Sequence, residues 1–146
     1  FAESDITKIL GDNITKAINL KANNFASEFL IRKGNSFHAV EMPAEAQFGP
    51  VKGIVCTDFD QDGKDDILVA GNWFASEYET PVADNSIGLL MKGDGKGNFE
   101  SQNVNHSGVF LTQDIRDLQL IHIGKEGRKA VLVAINNGPL KLLKLQ

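Results

Sequence analysis

Five aspartates lie within the short stretch Asp58–Asp66, and four of them occupy positions 1, 3, 5 and 9, the spacing of interest here. Gly63, at position 6, permits a sharp turn there. Calcium takes about six to eight oxygen ligands, and alternate side chains of a tightly curled loop can converge on one ion. Four carboxylates without a cation would repel one another. We therefore predict a calcium site. Its predicted ligands are the side chains of Asp58, Asp60, Asp62 and Asp66 and the main-chain carbonyl of Lys64.

The stretch has two alternative interpretations. An EF-hand loop needs a bidentate glutamate at position 12, but Val69 occupies that position within an apolar run, so the EF-hand is excluded. The other alternative is a solvated acidic turn without an ion. If the ion is present, we expect a structural role, because a loop that supplies most of its own ligands leaves few positions open for a substrate.

The elements that must position this loop are predicted to be strands. Short runs rich in Val, Ile, Leu and Phe follow one another from Asn24 onward, each bounded by Gly, Asn, Asp or Pro. A short helix is predicted before them, at Asp5–Leu10, with Ser4 or Asp5 as its N-cap and Gly11 at its end. A parallel βαβ sheet is disfavoured because the gaps mostly hold turns. The runs are Ser27–Arg32, Phe37–Met42, Gly53–Phe59, Asp66–Gly71, Ile87–Lys92, Phe99–Val104, Leu118–Ile123, Ala130–Ile135 and Leu140–Leu145.

A degenerate repeat relates the two halves of the chain. Two stretches of similar sequence end at Phe37 and at Phe99, which are 62 residues apart. A second pair of similar stretches ends at Asn72 and at Asn136, which are 64 residues apart. Such a period favours the radial repetition of four-stranded units, as in propeller blades. One complete unit, Gly53–Val104, is preceded by two strands and followed by three. These strands do not close a ring, so we expect either a longer parent chain or open sheet edges covered by another copy or by the N-terminal segment.

The order of a strand, the loop Asp58–Asp66 and the strand Ile67–Asn72 resembles the FG-GAP/VCBS repeat. The hairpin Lys92–Phe99 and the lead-in Gln47–Gly53 are similar to that family as well, and the lead-in favours its bacterial members. The turn Gly124–Lys129 of the next repeat lacks the carboxylates, so only one metal site is predicted.

This resemblance implies an all-β fold of about two blades, each a four-stranded antiparallel sheet, with a short N-terminal helix. We expect an N-terminal helical or linker segment over residues 1–24 and a partial β-propeller over residues 25–146. The resemblance also implies a non-enzymatic binding or scaffolding module of an exported or cell-surface protein, whose export signal lies outside this chain. The alternative is the terminal part of a propeller enzyme that acts on glycans, with its catalytic residues elsewhere.

The most aromatic stretch of the chain supplies the predicted ligand-binding residues, Trp73, Phe74 and Tyr78. Exposed aromatic side chains suit sugar stacking or a protein contact, although packing between blades is the ordinary alternative. A protein or carbohydrate partner is therefore expected, and self-association through open sheet edges remains a further expectation. The net charge of −4 disfavours nucleic acid, and no apolar run is long enough for a membrane helix.

The remaining residues capable of chemistry give no catalytic constellation. The three histidines are far apart in sequence, no nucleophile elbow is present, and no catalytic residue is assigned. His122 lies in an apolar run and is expected in the core. Cys56, the single cysteine, is expected to be a buried thiol that acts as a small hydrophobe.

Overall fold

A computed structural model describes residues 3–144. Helix α1, Ile6–Leu10, begins after Asp5, whose carboxylate accepts a hydrogen bond from the Lys8 main-chain N–H at 2.8 Å. The predicted helix is thus confirmed, with Asp5 as its N-cap. A 3₁₀ turn, Gly11–Lys16, follows it. Neither element has a buried residue, so this segment does not contribute to the hydrophobic core.

The rest of the described chain is mostly β, as predicted, and its strands form three antiparallel sheets of two, four and three strands. Each sheet is a meander in chain order, because consecutive strands are neighbours. A second short helix, α2, Val104–Ser107, joins the last two sheets. The strands are β1 Glu28–Lys33, β2 Ser36–Glu41, β3 Gly53–Thr57, β4 Asp66–Ala70, β5 Leu89–Gly93, β6 Phe99–Ser101, β7 Ile115–Ile123, β8 Arg128–Ile135 and β9 Lys141–Lys144.

All nine predicted strand regions contain a strand, and the differences are at the ends. β7 begins three residues before the predicted run, and β6 ends at Ser101, before Val104, which was predicted to end it and begins α2 instead. The asparagine side chain of Asn103 caps that helix by accepting a hydrogen bond from the Asn105 main-chain N–H, a local signal that was missed. Leu145 of the last predicted run, like Phe1 and Ala2 of the N-terminal segment, lies outside the described residues.

The four-stranded sheet, β3 to β6, lies between the other two and packs on both of its faces. Successive side chains of a strand point to opposite faces of its sheet. Because both faces of this sheet are covered, all five residues of β4 are buried. Leu68 and Ala70 join the cluster formed with residues of β7 and β8, whereas Ile67 and Val69 join a second cluster with Met42. Two cores therefore share one strand.

The second cluster connects the β1–β2 hairpin to the four-stranded sheet. Phe29 of β1 packs against Phe99 of β6, with 4.8 Å between the ring centroids. The other face of the hairpin is open, because Leu30 and Phe37 are each about two-thirds exposed. The hairpin is thus attached to the four-stranded sheet through one face only.

The first strands of the second and third sheets, β3 and β7, are in close contact. A Cβ atom added at Gly53 would lie 2.7 Å from the Leu118 main-chain nitrogen, closer than real Cβ contacts allow. Gly53 therefore permits the two backbones to approach. As a result, β7 contacts both β3 and β4.

Two predictions of burial were wrong. Cys56 is exposed, because the inward positions of β3 are Gly53, Val55 and Thr57 and the intervening residues point outward. His122 is exposed for the same reason in β7. An apolar run identifies a strand, but only its packing decides which alternate residues face the core. In residues 3–144 no helix is long and apolar enough to cross a membrane.

Candidate functional site

The aspartate-rich loop lies at one end of the four-stranded sheet, where β3 ends and β4 begins. The last ladder pair before it is Thr57 with Asp66. Two residues of the loop have left-handed backbone conformations, Gln61 with φ of 64° and Gly63 with φ of 83°. The glycine was predicted from the sequence, whereas the second left-handed position was not. Together these two residues allow the chain to curl back within a few residues.

The loop brings three of the predicted carboxylates together. One oxygen from each of Asp58, Asp60 and Asp66 lies within 4.8 Å of the others. Oxygen ligands of calcium stand at about 2.3–2.6 Å from the ion, so ligands across the coordination sphere are about 5 Å apart. The spacing fits one ion in contact with all three groups. These three residues could hold a metal ion.

Main-chain hydrogen bonds already orient two of these carboxylates. Asp58 accepts from the N–H groups of Asp62, at 3.2 Å, and of Gly63, at 2.9 Å. Asp60 also accepts from Asp62 N–H, at 3.2 Å. Main-chain groups of the loop itself therefore hold Asp58 and contribute to holding Asp60 on the inside of the turn.

Asp66 is the buried member of the group, with 2% of its surface exposed. One carboxylate oxygen accepts from the Phe59 N–H at 3.0 Å, and the other accepts from the Gly93 N–H at 2.9 Å. Gly93 ends β5, and a Cβ atom there would lie 2.1 Å from the Asp65 carbonyl oxygen. Asp66 thus ties the loop to the neighbouring strand, and Gly93 provides the space that this contact needs.

Asp62 lies outside the group of three, although the sequence predicted it as a ligand. Its carboxylate pairs with the Lys64 ammonium at 3.1 Å and with the Lys92 ammonium at 3.3 Å. The hydrogen bond from the Lys64 side chain is the main cause of the lowered pKa of Asp62. The main-chain carbonyl of Lys64 stays a prediction, since the group of three contains side-chain oxygens only.

Lys92 is the residue of this site that sequence reasoning missed. It projects from β5, and its ammonium donates a hydrogen bond to Asp60 as well as pairing with Asp62. The hydrogen bond to Asp60 is the largest cause of a raised pKa of Lys92, and the contact with Asp62 is the next. A protein cation therefore compensates part of the negative charge of the loop.

A groove of about 690 Å³ opens beside the loop, between the second and third sheets. Asp60, Asp66 and Lys92 line one side of it, and His106 and Lys144 are among the residues on the other sides. An ion held by the loop would lie next to this groove. The two residues on the far sides are not close to the loop in sequence, so the sequence carried no signal for them.

The three predicted ligand-binding aromatic residues lie at the opposite end of β4, after its last residue. Trp73 and Phe74 are each 45% exposed, and Tyr78 is fully exposed. Trp73 is held in place by a β-bridge to Ala83 and by its indole N–H, which donates to the Ala75 carbonyl at 2.7 Å. Trp73 and Phe74 directly follow the end of β4, and Tyr78 lies in the turn that comes after them.

A charged cluster underlies Trp73. The Lys52 ammonium lies 4.1 Å from the centroid of the indole ring, and the Arg116 guanidinium carbon lies 5.7 Å from it. Asp114 is buried beside them and pairs with Arg116 at 2.9 Å. These residues are separated from Trp73 by tens of positions in sequence: the pairing of β3 with β4 brings Lys52 to it, and the approach of β3 to β7 brings Arg116 and Asp114.

Comparison with protein-family models found no matching family, and comparisons with curated proteins and with solved structures found no significant match.

Proposed function

We propose that this chain is a calcium-stabilised part of a β-propeller of the FG-GAP/VCBS kind and that it acts as a binding or scaffolding module. The observation that carries the proposal is the convergence of the Asp58, Asp60 and Asp66 carboxylates at the turn between the first two strands of a four-stranded sheet. In the resembled repeat the metal loop joins two strands at the same place.

The arrangement of the sheets supports this proposal. The repeat in the sequence predicts two strands, then four, then three, and the chain has sheets of these sizes. The four-stranded sheet packs face to face with both neighbours, and its first strand contacts the first strand of the next sheet. Radially repeated sheets pack in this way.

Calcium is the proposed ion because the donor set consists of carboxylate oxygens, which are hard ligands. Asp58, Asp60 and Asp66 would contact it, with the carbonyl of Lys64 as a further ligand. When bound, the ion supplies positive charge that offsets the repulsion among the carboxylates. Asp66 also bonds to β5, so an ion there links the loop to two strands, which favours a structural role.

The proposed binding surface is formed by Trp73, Phe74 and Tyr78 at the other end of the sheet. Their exposed rings offer contact area to a protein or a carbohydrate.

We propose that the parent protein is exported or displayed on the cell surface, where millimolar calcium suits a site of modest affinity.

Thermal unfolding with calcium and with chelator tests the proposal. Binding to the folded state stabilises it by about 2.7 kcal/mol at a calcium concentration a hundredfold above Kd, so Tm should rise. Asp60→Ala should abolish the rise, and because Asp60 is exposed the variant should still fold. Asp65→Ala is the matched control, because it removes an exposed carboxylate of the same loop that lies outside the group of three. This variant should still show the calcium-induced rise in Tm. Identical curves with and without calcium would contradict the metal site.

A further inference from the structure

The end of the sheets away from the aspartate loop carries a second group of polar residues. Lys52 lies directly before β3, and Asp114 lies directly before β7, so the two occupy the same relative place in neighbouring sheets. Trp73 follows β4, and Arg116 is the second residue of β7. We call these four residues the Trp73 cluster.

The buried carboxylate of the Trp73 cluster is only half satisfied. Asp114 has a side chain 3% exposed, and its Oδ2 atom accepts hydrogen bonds from Arg116 at 2.9 Å and from the Asn136 side chain at 3.1 Å. Among the described residues, neither Asp114 Oδ1 nor Lys52 Nζ has a hydrogen-bond partner, and the two atoms are 3.8 Å apart. Buried polar atoms without partners are rare because each costs about 1–3 kcal/mol.

The unmatched charge of the cluster is positive. Two cations, Lys52 and Arg116, surround the single carboxylate of Asp114. A third, Lys141, lies close by and donates to the side chain of Gln113. This excess occurs in a chain whose net charge is −4. Lys52 forms an ion pair with Asp114 but no hydrogen bond, and the excess of positive charge around that single carboxylate favours an anionic group as a further partner.

Trp73 gives the cluster an accessible apolar face. Nearly half of its surface is exposed, and its bridge to Ala83 and its indole hydrogen bond fix the ring in place. Arg116 reaches the same surface, since 37% of its side chain is exposed. A sugar ring can lie against an indole face through its C–H groups while a carboxylate on that ring reaches a neighbouring cation.

We propose that the Trp73 cluster binds an acidic carbohydrate, that is, a chain of uronic acid residues. The sugar ring packs on Trp73, and its carboxylate pairs with Arg116 and with Lys52, whose four-carbon stem lets the ammonium move from Asp114 to the ligand. This inference rests on the proposed binding function and names the chemical class of the ligand. The cations of the cluster then discriminate against neutral sugars.

Trp73 is the single tryptophan of the chain, so its fluorescence reports on the cluster directly. The probes are a trimer of galacturonic acid and the matching neutral trimer of galactose, titrated separately in the presence of chelator. We expect a saturable fluorescence change with the acidic trimer, weaker at high salt, and none with the neutral one. Lys52→Met and Arg116→Gln should each weaken binding about tenfold or more, because each removes a charge-assisted contact. Lys125→Met, the same change in an exposed turn, should leave binding unaltered.

Each contrary outcome separates this inference from the proposed function. No fluorescence change with the acidic trimer at millimolar concentration, while calcium still raises Tm, would overturn the ligand class and leave the calcium-stabilised module intact. Equal binding of the neutral trimer, or of a poly-glutamate peptide, would also overturn it. Because Arg116 is partly exposed, Arg116→Gln keeps the test informative if Lys52→Met fails to fold.

Discussion

The turns that join the first two strands of the second and third sheets differ in design. In the third sheet β7 and β8 pair as far as Ile123 with Arg128, and the four residues 124–127 close the hairpin. In the second sheet the ladder between β3 and β4 stops at Thr57 with Asp66, and a loop with several carboxylates connects the strands. The strands of the third sheet are also longer, nine and eight residues against five and five.

The difference shows that this sheet architecture does not need an acidic loop. The third sheet gains its stability at that end from extra ladder pairs. The second sheet replaces them with hydrogen bonds from the main chain to carboxylates and with the contact of Asp66 to β5. The acidic loop carries an electrostatic cost that the short turn avoids, so a role in holding a cation explains its presence better than hairpin closure does.

The largest expected effect comes from removing the carboxylate that anchors the loop. Asp66→Ala leaves the N–H groups of Phe59 and Gly93 without their acceptor, and we expect it to lower the free energy of unfolding by about 3 kcal/mol. Arg128→Ala, an exposed change in the corresponding hairpin, should alter it little. Urea unfolding measures both, and equal effects of the two variants would show that the loop is not anchored through Asp66.

Filling the space beside the loop should have the next largest effect. In Gly93→Ala the new methyl group would meet the Asp65 carbonyl oxygen, so we expect a loss of about 2 kcal/mol together with weaker calcium binding. The control is Gly124→Ala in the short turn, where the added Cβ meets nothing within 4 Å and the cost comes from the left-handed backbone alone. Calcium titration by calorimetry checks the result, and an unchanged calcium affinity in Gly93→Ala would contradict it.

A smaller effect is expected from removing the protein cation of the loop. Lys92→Met takes away the ammonium that pairs with Asp60 and Asp62, so Tm in chelator should fall. Calcium no longer competes with this ammonium, and the calcium-induced rise in Tm should exceed that of the wild type. Lys125→Met in the short turn should behave like the wild type. A smaller calcium-induced rise in Lys92→Met would instead mean that Lys92 supports ion binding.

The smallest effect concerns the turn between β5 and β6, in residues 94–98. Hydrogen bonds to Asp94, above all from the Asn98 side chain, lower the pKa of Asp94 below its ordinary value of 3.8. A lowered pKa stabilises the folded chain above the unfolded value, and this contribution is lost as pH falls through the folded pKa. The Tm difference between wild type and Asp94→Ala should therefore be constant down to about pH 4 and shrink below it. A Tm difference that grows in acid would refute the assignment.

Local pattern in the sequence predicted much of this molecule. Runs of β-branched and aromatic residues located every strand, and the spacing of the aspartates located the loop, because both features depend on neighbours within a few residues. The same pattern failed for Cys56 and His122. The alternation of a strand has a fixed period, but packing against other sheets decides which alternate positions face inward.

The sequence by itself determined the strands, the turns, the repeat and the acidic loop, since backbone preferences and side-chain periodicity act over short distances. Only the tertiary structure decided that Lys92 would pair with Asp62 and leave three carboxylates facing one another. It also decided that Lys52 and Arg116 would lie beside Trp73. Such contacts join residues of different strands: the pairing of β4 with β5 brings Lys92 to the loop, and the packing of β3 against β7 brings Arg116 to Trp73.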